Sequence, residues 1–204
     1  MPNERSKLLV ATNNKDKLAE LNDLLVDVPI DLLSLGDIGI TDEIEETGLT
    51  FGENAVLKAS GYAQRAGILT LADDSGLEVE ALENRPGVYS ARYGGAELGF
   101  DEKMLMLLDE IEKTGDTQRK ARFVCSMAIA NPEGEIVRTS EGICSGTIAE
   151  NARGTGGFGY DPLFIPDGFE KTFGELPNDV KQKISHRFRA FCEIMPFLRT
   201  FTAI

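Results

Sequence analysis

Lys7–Ala11 (KLLVA) is a short apolar run that passes directly into the polar turn Thr12-Asn13-Asn14-Lys15-Asp16-Lys17. Beyond the turn, Leu18, Leu21, Leu25 and Val28 recur at helical spacing. A strand, a tight polar turn and an amphipathic helix in that order open an α/β unit, because a helix directly after a strand packs back on the sheet. Pro29 closes the helix, and Ile30–Leu35 reads as a second strand.

The rest of the chain continues in mixed style. Gly36–Gly48 is an acidic loop. Thr50-x-x-Glu53 fits a capping box, with Phe51, Ala55, Ala59, Tyr62 and Ala66 as the apolar face of the helix behind it and Gly67 as its stop. Ile68–Ala72 reads as a strand that stops at Asp73-Asp74-Ser75-Gly76, and Leu77–Leu82 alternates as a half-buried strand does. Asn84–Gly99 reads as a loop. Asp101–Lys113 reads as a helix with Met104, Leu105, Leu108 and Ile111 inward. Phe123, Cys125, Met127 and Ile129 mark a strand, Asn131-Pro132-Glu133-Gly134 a turn, and Glu135–Ile148 a returning strand. A last helix carries Phe188, Phe191, Ile194, Met195 and Leu198, with a kink expected at Pro196. The fold class is therefore α/β with a mixed sheet. No repeat or linker divides residues 1–204, so one domain is expected.

A formal net charge of −13 sets this chain against polyanions, so nucleic acid is not an expected partner. The same charge tolerates a small phosphate ligand held by local lysines and a metal. No apolar run is long enough for a bilayer, and Met1–Lys7 lacks the apolar stretch expected of a signal peptide. Cys125, Cys144 and Cys192 are odd in number and widely spaced, as suits a reducing compartment. A cytoplasmic protein without a membrane partner is expected.

Five polar segments can carry chemistry. Thr12, Asn13, Asn14, Lys15, Asp16 and Lys17 form either a phosphate cradle at a helix N-terminus or an Asn-capped helix with solvated lysines. Asp73-Asp74-Ser75-Gly76 follows an apolar strand and offers oxygen ligands for Mg²⁺ and a base for water, or an Asx turn. Glu43–Thr47 is a charge run that becomes a candidate ligand set at Glu45 and Glu46. Gly154–Pro162 contains GxGxxG, but Pro162 forbids the long helix that a dinucleotide fold needs. There the glycines let backbone approach a ligand, with Phe158 and Tyr160 able to stack on a base, or they build a turn cluster around core aromatics. Lys181–Arg187 (KQKISHR) holds the single histidine, His186, beside Arg187. GxxxxGK[ST], HExxH and GxSxG are all absent, which favours metal-assisted attack of water on a phosphate over a covalent nucleophile.

Together these blocks resemble the inosine-triphosphatase family of purine nucleoside-triphosphate pyrophosphatases. The resemblance runs through Ala11-Thr12-Asn13-Asn14 with Lys17 and Glu20, then Glu45-Glu46-Thr47-Gly48 and Thr50-Phe51. It continues through Glu53-Asn54-Ala55 with Lys58, Ala72–Leu77, Pro86–Tyr93, Gly154–Phe164 and Ser185-His186-Arg187. It implies two lobes around a central substrate cleft, usually in a homodimer, and Mg²⁺-dependent cleavage of ITP, dITP and XTP to monophosphate and pyrophosphate. It also implies roles. Thr12–Lys17 and Lys58 would meet phosphate. Glu45, Glu46 and Asp74 would hold the metal, with Asp74 the proton acceptor and Ser75 a substrate contact. Phe158, Gly159, Tyr160, Asp161, Lys181, His186 and Arg187 would form the base pocket, Arg187 aiming donors at the C6 carbonyl. Met104 and Met106 depart from the family pattern as an exposed pair that would alter dimer packing. A Maf-like pyrophosphatase of modified pyrimidine nucleotides is the rival reading.

Overall fold

The computed structural model describes residues 6–201. Its elements, in chain order, are β1 (Lys7–Val10), α1 (Lys15–Leu25), β2 (Asp31–Ser34), α2 (Phe51–Ala66), β3 (Thr70–Val79), β4 (Arg85–Pro86), α3 (Phe100–Thr114), β5 (Lys120–Ala130), β6 (Ile136–Ile148), β7 (Phe164–Pro166), α4 (Asn178–Ile184) and α5 (His186–Phe201). The strands make one mixed sheet in the order β2-β1-β3-β5-β6-β7, with β4 pairing with β3. β1 runs parallel to β2 and β3, while β4 and β7 pair antiparallel to β3 and β6.

The chain divides into two compact units. The first holds the chain through Asp74, Cys125–Gly142 and the segment from Arg187 on; the second holds Ser75–Val124 and Ile143–His186. Strands β3, β5 and β6 lend residues to both.

In the first unit, alternation along the strands separates two cores. Leu8, Val10, Leu71, Cys125, Met127 and Ile129 pack with Leu21 and Leu25 of α1 and with Phe191, Ile194 and Leu198 of α5. Leu9, Ala11, Ala72, Ala128 and Ala130 take the opposite face, under Ala55, Ala59, Tyr62 and Ala63 of α2. The small alanines let α2 lie close to the sheet.

The capping box at Thr50 is present: Thr50 Oγ1 accepts from Glu53 N at 3.2 Å, and Glu53 Oε2 accepts from Thr50 N at 3.1 Å. Gly67, at φ 63°, ends the helix. Thr50→Ala is expected to lower stability by about 1 kcal/mol. For a chain of this length that is a fall of about 2–4 °C in a thermal melt.

The second unit packs Met104, Leu107 and Ile111 of α3 against Leu77, Val79, Phe123, Ile148, Tyr160 and Phe164. Here the expected inward face shifts. Leu105 is 67% exposed, while Leu107, not expected to be inward, is fully buried. Positions 104, 107 and 111 share one side of a 3.6-residue period, and 105 falls across from them. Met104 is also buried, so the expected exposed methionine pair reduces to Met106. Two short elements, β7 and α4, lie where no periodic signal marked them.

The largest departure concerns β3. It does not stop at Asp73; it runs unbroken through Asp73-Asp74-Ser75-Gly76 to Val79. Register with β1 at Thr70 and Leu71 and with β4 at Glu78 and Val79 holds both ends of the strand in the sheet.

Candidate active site

Adjacent residues of a strand point to opposite faces, and this splits the two aspartates. Asp73 shares the face of Leu71, toward α1 and α5. Asp74 shares the face of Ala72, toward α2.

On the α1/α5 side, Asp73 is 1% exposed and collects cations. Its Oδ2 receives Lys17 Nζ at 3.0 Å and Arg187 NH2 at 3.3 Å, with the Cys125 thiol at 3.8 Å. Arg187, itself 1% exposed, also donates through NH1 to Glu20. Burial opposes the Asp73 charge, but Lys17, Arg187 and Lys58 overcome it and hold the carboxyl well below the usual range. Burial first, and Asp73 second, push the Cys125 thiol up, so it stays neutral.

On the α2 side, Asp74 is 7% exposed. Asn54 Nδ2 donates to its Oδ2 at 3.1 Å, and Lys58 Nζ lies 3.6 Å from its Oδ1. The same ammonium donates to Glu46 Oε1 at 2.6 Å. Burial raises the Asp74 pKa, with Glu46 adding to it and Lys58, Lys17 and Asn54 opposing; the net direction is upward. Burial works against the Lys58 charge, yet Asp74, Asp73 and Glu46 keep its pKa above the ordinary lysine value. A carboxyl whose burial raises its proton affinity against a neighbouring lysine can take a proton from water.

Asn14 caps α1, its side chain accepting from Asp16 N at 2.9 Å and Lys17 N at 3.1 Å. Asn13, Lys15 and Asp16 are exposed, Thr12 is partly buried, and Asn13 Nδ2 donates to Glu43 Oε1 at 3.1 Å. Lys17 alone of these turns inward, to Asp73.

Among the described residues, no group of three or more His, Cys, Asp or Glu side chains is gathered to hold a metal ion. Two carboxylates do converge: Glu46 and Asp74 flank one cation, the Lys58 ammonium. Mg²⁺ is commonly held by one or two carboxylates plus water and substrate phosphates, so this pair fits the ion. Glu45, by contrast, is exposed.

The second unit brings together a separate set. Asp161, 2% exposed, accepts from Lys181 Nζ at 2.6 Å and from Phe158 N at 2.8 Å. The Lys181 ammonium sits 4.6 Å over the Phe158 ring and 5.8 Å from that of Phe173. Gly157, at φ 69°, is where the loop closes over the Asp161 carboxylate; a Cβ there would collide with it. Of the two aromatics expected to stack on a base, Phe158 is partly exposed. Tyr160 is 2% exposed, packs edge-on against Phe100 at 5.5 Å, and donates to Ser90 O at 3.0 Å. Its phenol is pushed up by burial, so it belongs to the core. His186 stacks on Phe123 with ring centroids 4.8 Å apart. Gly159 and Ser75 are partly buried.

Two residues that sequence reasoning left without a role now have partners, Glu20 on Arg187 and Asn54 on Asp74, while Asp73, read there as an oxygen ligand or base, pairs with Lys17 and Arg187 instead. The missed signal for Asn54 was a polar residue four positions before Lys58, on the alanine face of α2.

A buried aspartate with a raised pKa beside a lysine and a second carboxylate, on a mixed α/β sheet, is chemistry that can serve hydrolysis of a phosphate. The Ham1 family matches residues 8–197, and the chain belongs to that family. It is similar to the dITP/XTP pyrophosphatase of Exiguobacterium sp., 45% identical over 95% of this chain and 99% of that one. The dITP/XTP pyrophosphatase of Bacillus subtilis is 45% identical over 93% and 96%. A HAM1 protein from Coxiella burnetii has a similar structure, with TM-score 0.88 and 38% identity over 96% of this chain and 99% of that one. The Maf-like alternative finds no support among these relatives.

Proposed function

We propose that this protein is a pyrophosphatase of non-standard purine nucleoside triphosphates, ITP, dITP and XTP, releasing the monophosphate and pyrophosphate. The observation that carries the reading is Asp74: a buried carboxylate with a raised pKa, set between Asn54, Lys58 and Glu46. The names of the relatives agree with it.

In this reading Asp74 takes the proton of the water that attacks the α-phosphorus, and Lys58 steadies the charge that develops there. Lys17 and the Thr12–Asp16 turn meet the triphosphate. A Mg²⁺ ion, when bound by Glu46 and Asp74 with Glu45 nearby in sequence, supplies charge neutralisation to the phosphates. Ser75 contacts substrate. Phe158 stacks on the base and Lys181, aligned by Asp161, donates to the C6 carbonyl, with Gly159 and His186 completing the pocket. Adenine carries an amino donor at C6; facing the ammonium, it leaves donors unpaired, which disfavours ATP. Guanine shares the C6 carbonyl, so its rejection rests on the 2-amino group. The enzyme works on free nucleotides in the cytoplasm, as a homodimer.

The test is product analysis over ITP, dITP, XTP, ATP, GTP and modified pyrimidine triphosphates with Mg²⁺. Pyrophosphate from the first three, at rates well above the others, is expected. Orthophosphate with a diphosphate product, or a preference for the pyrimidines, overturns the reading.

A further inference from the structure

Asn54 is 0% exposed, in the first turn of α2, and does not cap that helix. The capping groups are Thr50 and Glu53, so the Asn54 side chain is free for another purpose. Its amide can be oriented in one way only. Oδ1 accepts the Gly48 N–H at 2.8 Å, which leaves Nδ2 to donate to Asp74 Oδ2, at 3.1 Å. Lys58, four residues on and on the same helical face, lies 3.6 Å from the other oxygen, Oδ1.

Gly48 ends the loop that presents Glu46. A Cβ on Gly48 would stand 2.6 Å from Glu53 Cβ and 2.7 Å from Asn54 Oδ1, so only glycine lets the loop close this far onto α2. One buried side chain thus joins the loop of Glu46 to the carboxylate of Asp74.

We infer that Asn54 is a positioning residue for the hydrolysis. Its Nδ2 donates to Oδ2 of Asp74 and so holds the orientation of that carboxylate. Through Gly48 it also fixes the Glu46 loop at the same point. The inference rests on the pyrophosphatase reading above.

Three variants of the full chain separate its parts. Asn54→Asp keeps the size and the acceptor for Gly48 but loses the donor to Asp74. Asn54→Ala loses both. Gly48→Ala keeps Asn54 and Asp74 and pushes the loop away from Asn54 and Glu53. With dITP and Mg²⁺, kcat is expected to fall about 10- to 100-fold in both Asn54 variants, the size of a lost hydrogen bond to a charged group. KM should stay within about threefold, since the lost interaction serves the transition state rather than substrate binding. Gly48→Ala should lower kcat in the same sense, by about tenfold. As a readout independent of turnover, the Asn54 side-chain ¹⁵N–¹H₂ signals, identified by their loss in Asn54→Asp, should move in Asp74→Asn. If wild type releases pyrophosphate and Asn54→Asp keeps wild-type kcat, the inference is overturned. It is equally overturned if kcat, KM and melting temperature all deteriorate together, as loss of packing alone predicts. Absence of pyrophosphate release by wild type itself marks failure of the underlying reading instead.

Discussion

Asp74→Asn should lower pyrophosphate release from dITP by about 10²-fold or more, the range that general-base catalysis supplies. Nucleotide binding should survive. The variant keeps the shape of the side chain, and its carbonyl still accepts from Asn54, whose donor lies 3.1 Å from Oδ2 in the native protein. The amide nitrogen then faces Lys58, but that ammonium retains Glu46 at 2.6 Å, so the lysine stays in place. What disappears is the group whose burial raises its proton affinity and fits it to take a proton from water. Single-turnover pyrophosphate release, paired with calorimetric binding of dITP, separates the two effects. Turnover close to wild type would sink the assignment of Asp74 as the base, while loss of binding with loss of turnover would make Asp74 a substrate ligand instead.

The adjacent aspartate shows where sequence reading stopped short. Asp73 and Asp74 looked like a carboxylate pair at a strand end. Local sequence cannot say that β3 continues, because the residues that keep it in the sheet are its partners on β1 and β4. Nor can it say that Lys17 and Arg187, far apart in the chain, neutralise Asp73 so that a charge can be buried in mid-strand. Once the strand continues, the pleat sends the two carboxylates to different helices and gives them different work. The extent of α2 was legible, since a capping box at Thr50 and a glycine at 67 are local signals. Phe158 and Tyr160 were not separable, because both sit between glycine-rich neighbours and only packing against Phe100 withdraws Tyr160 into the core. Asp74, Lys58 and Glu46 were each found, and the resemblance set Glu46 and Asp74 on one metal; that Lys58 stands between them was not legible, because it depends on α2 lying on the sheet through alanines.

Arg187→Ala is the second substitution with a large expected effect, and the structure changes its character. Beside His186, Arg187 reads in sequence as a pair of donors for a base. In the fold the two neighbours part: His186 stacks on Phe123, and Arg187 donates to Glu20 and to Asp73, at 3.3 Å from the latter. Removing the guanidinium leaves the Asp73 carboxylate, buried to 1% exposure, with one cation fewer. Breaking a buried pair in this way costs about 3–5 kcal/mol. Lys17, 3.0 Å from the same oxygen, remains, so the lower end of that range applies. At about 2–4 °C per kcal/mol, the melting temperature should fall by roughly 6–12 °C. Arg187→Lys keeps the charge but not the two-pronged geometry, and should recover part of the loss. If the arginine instead reads the base, stability should hold and the ratio of kcat/KM for ITP over ATP should drop by about one to two decades. The geometry favours the first outcome: both substrates lose similar activity, the ratio is unchanged, and the loss tracks the fraction unfolded at the assay temperature. A melting temperature within a degree or two of wild type, with a collapsed ITP/ATP ratio, would return Arg187 to the base pocket and leave the Glu20–Arg187–Asp73 contacts without a stabilising role.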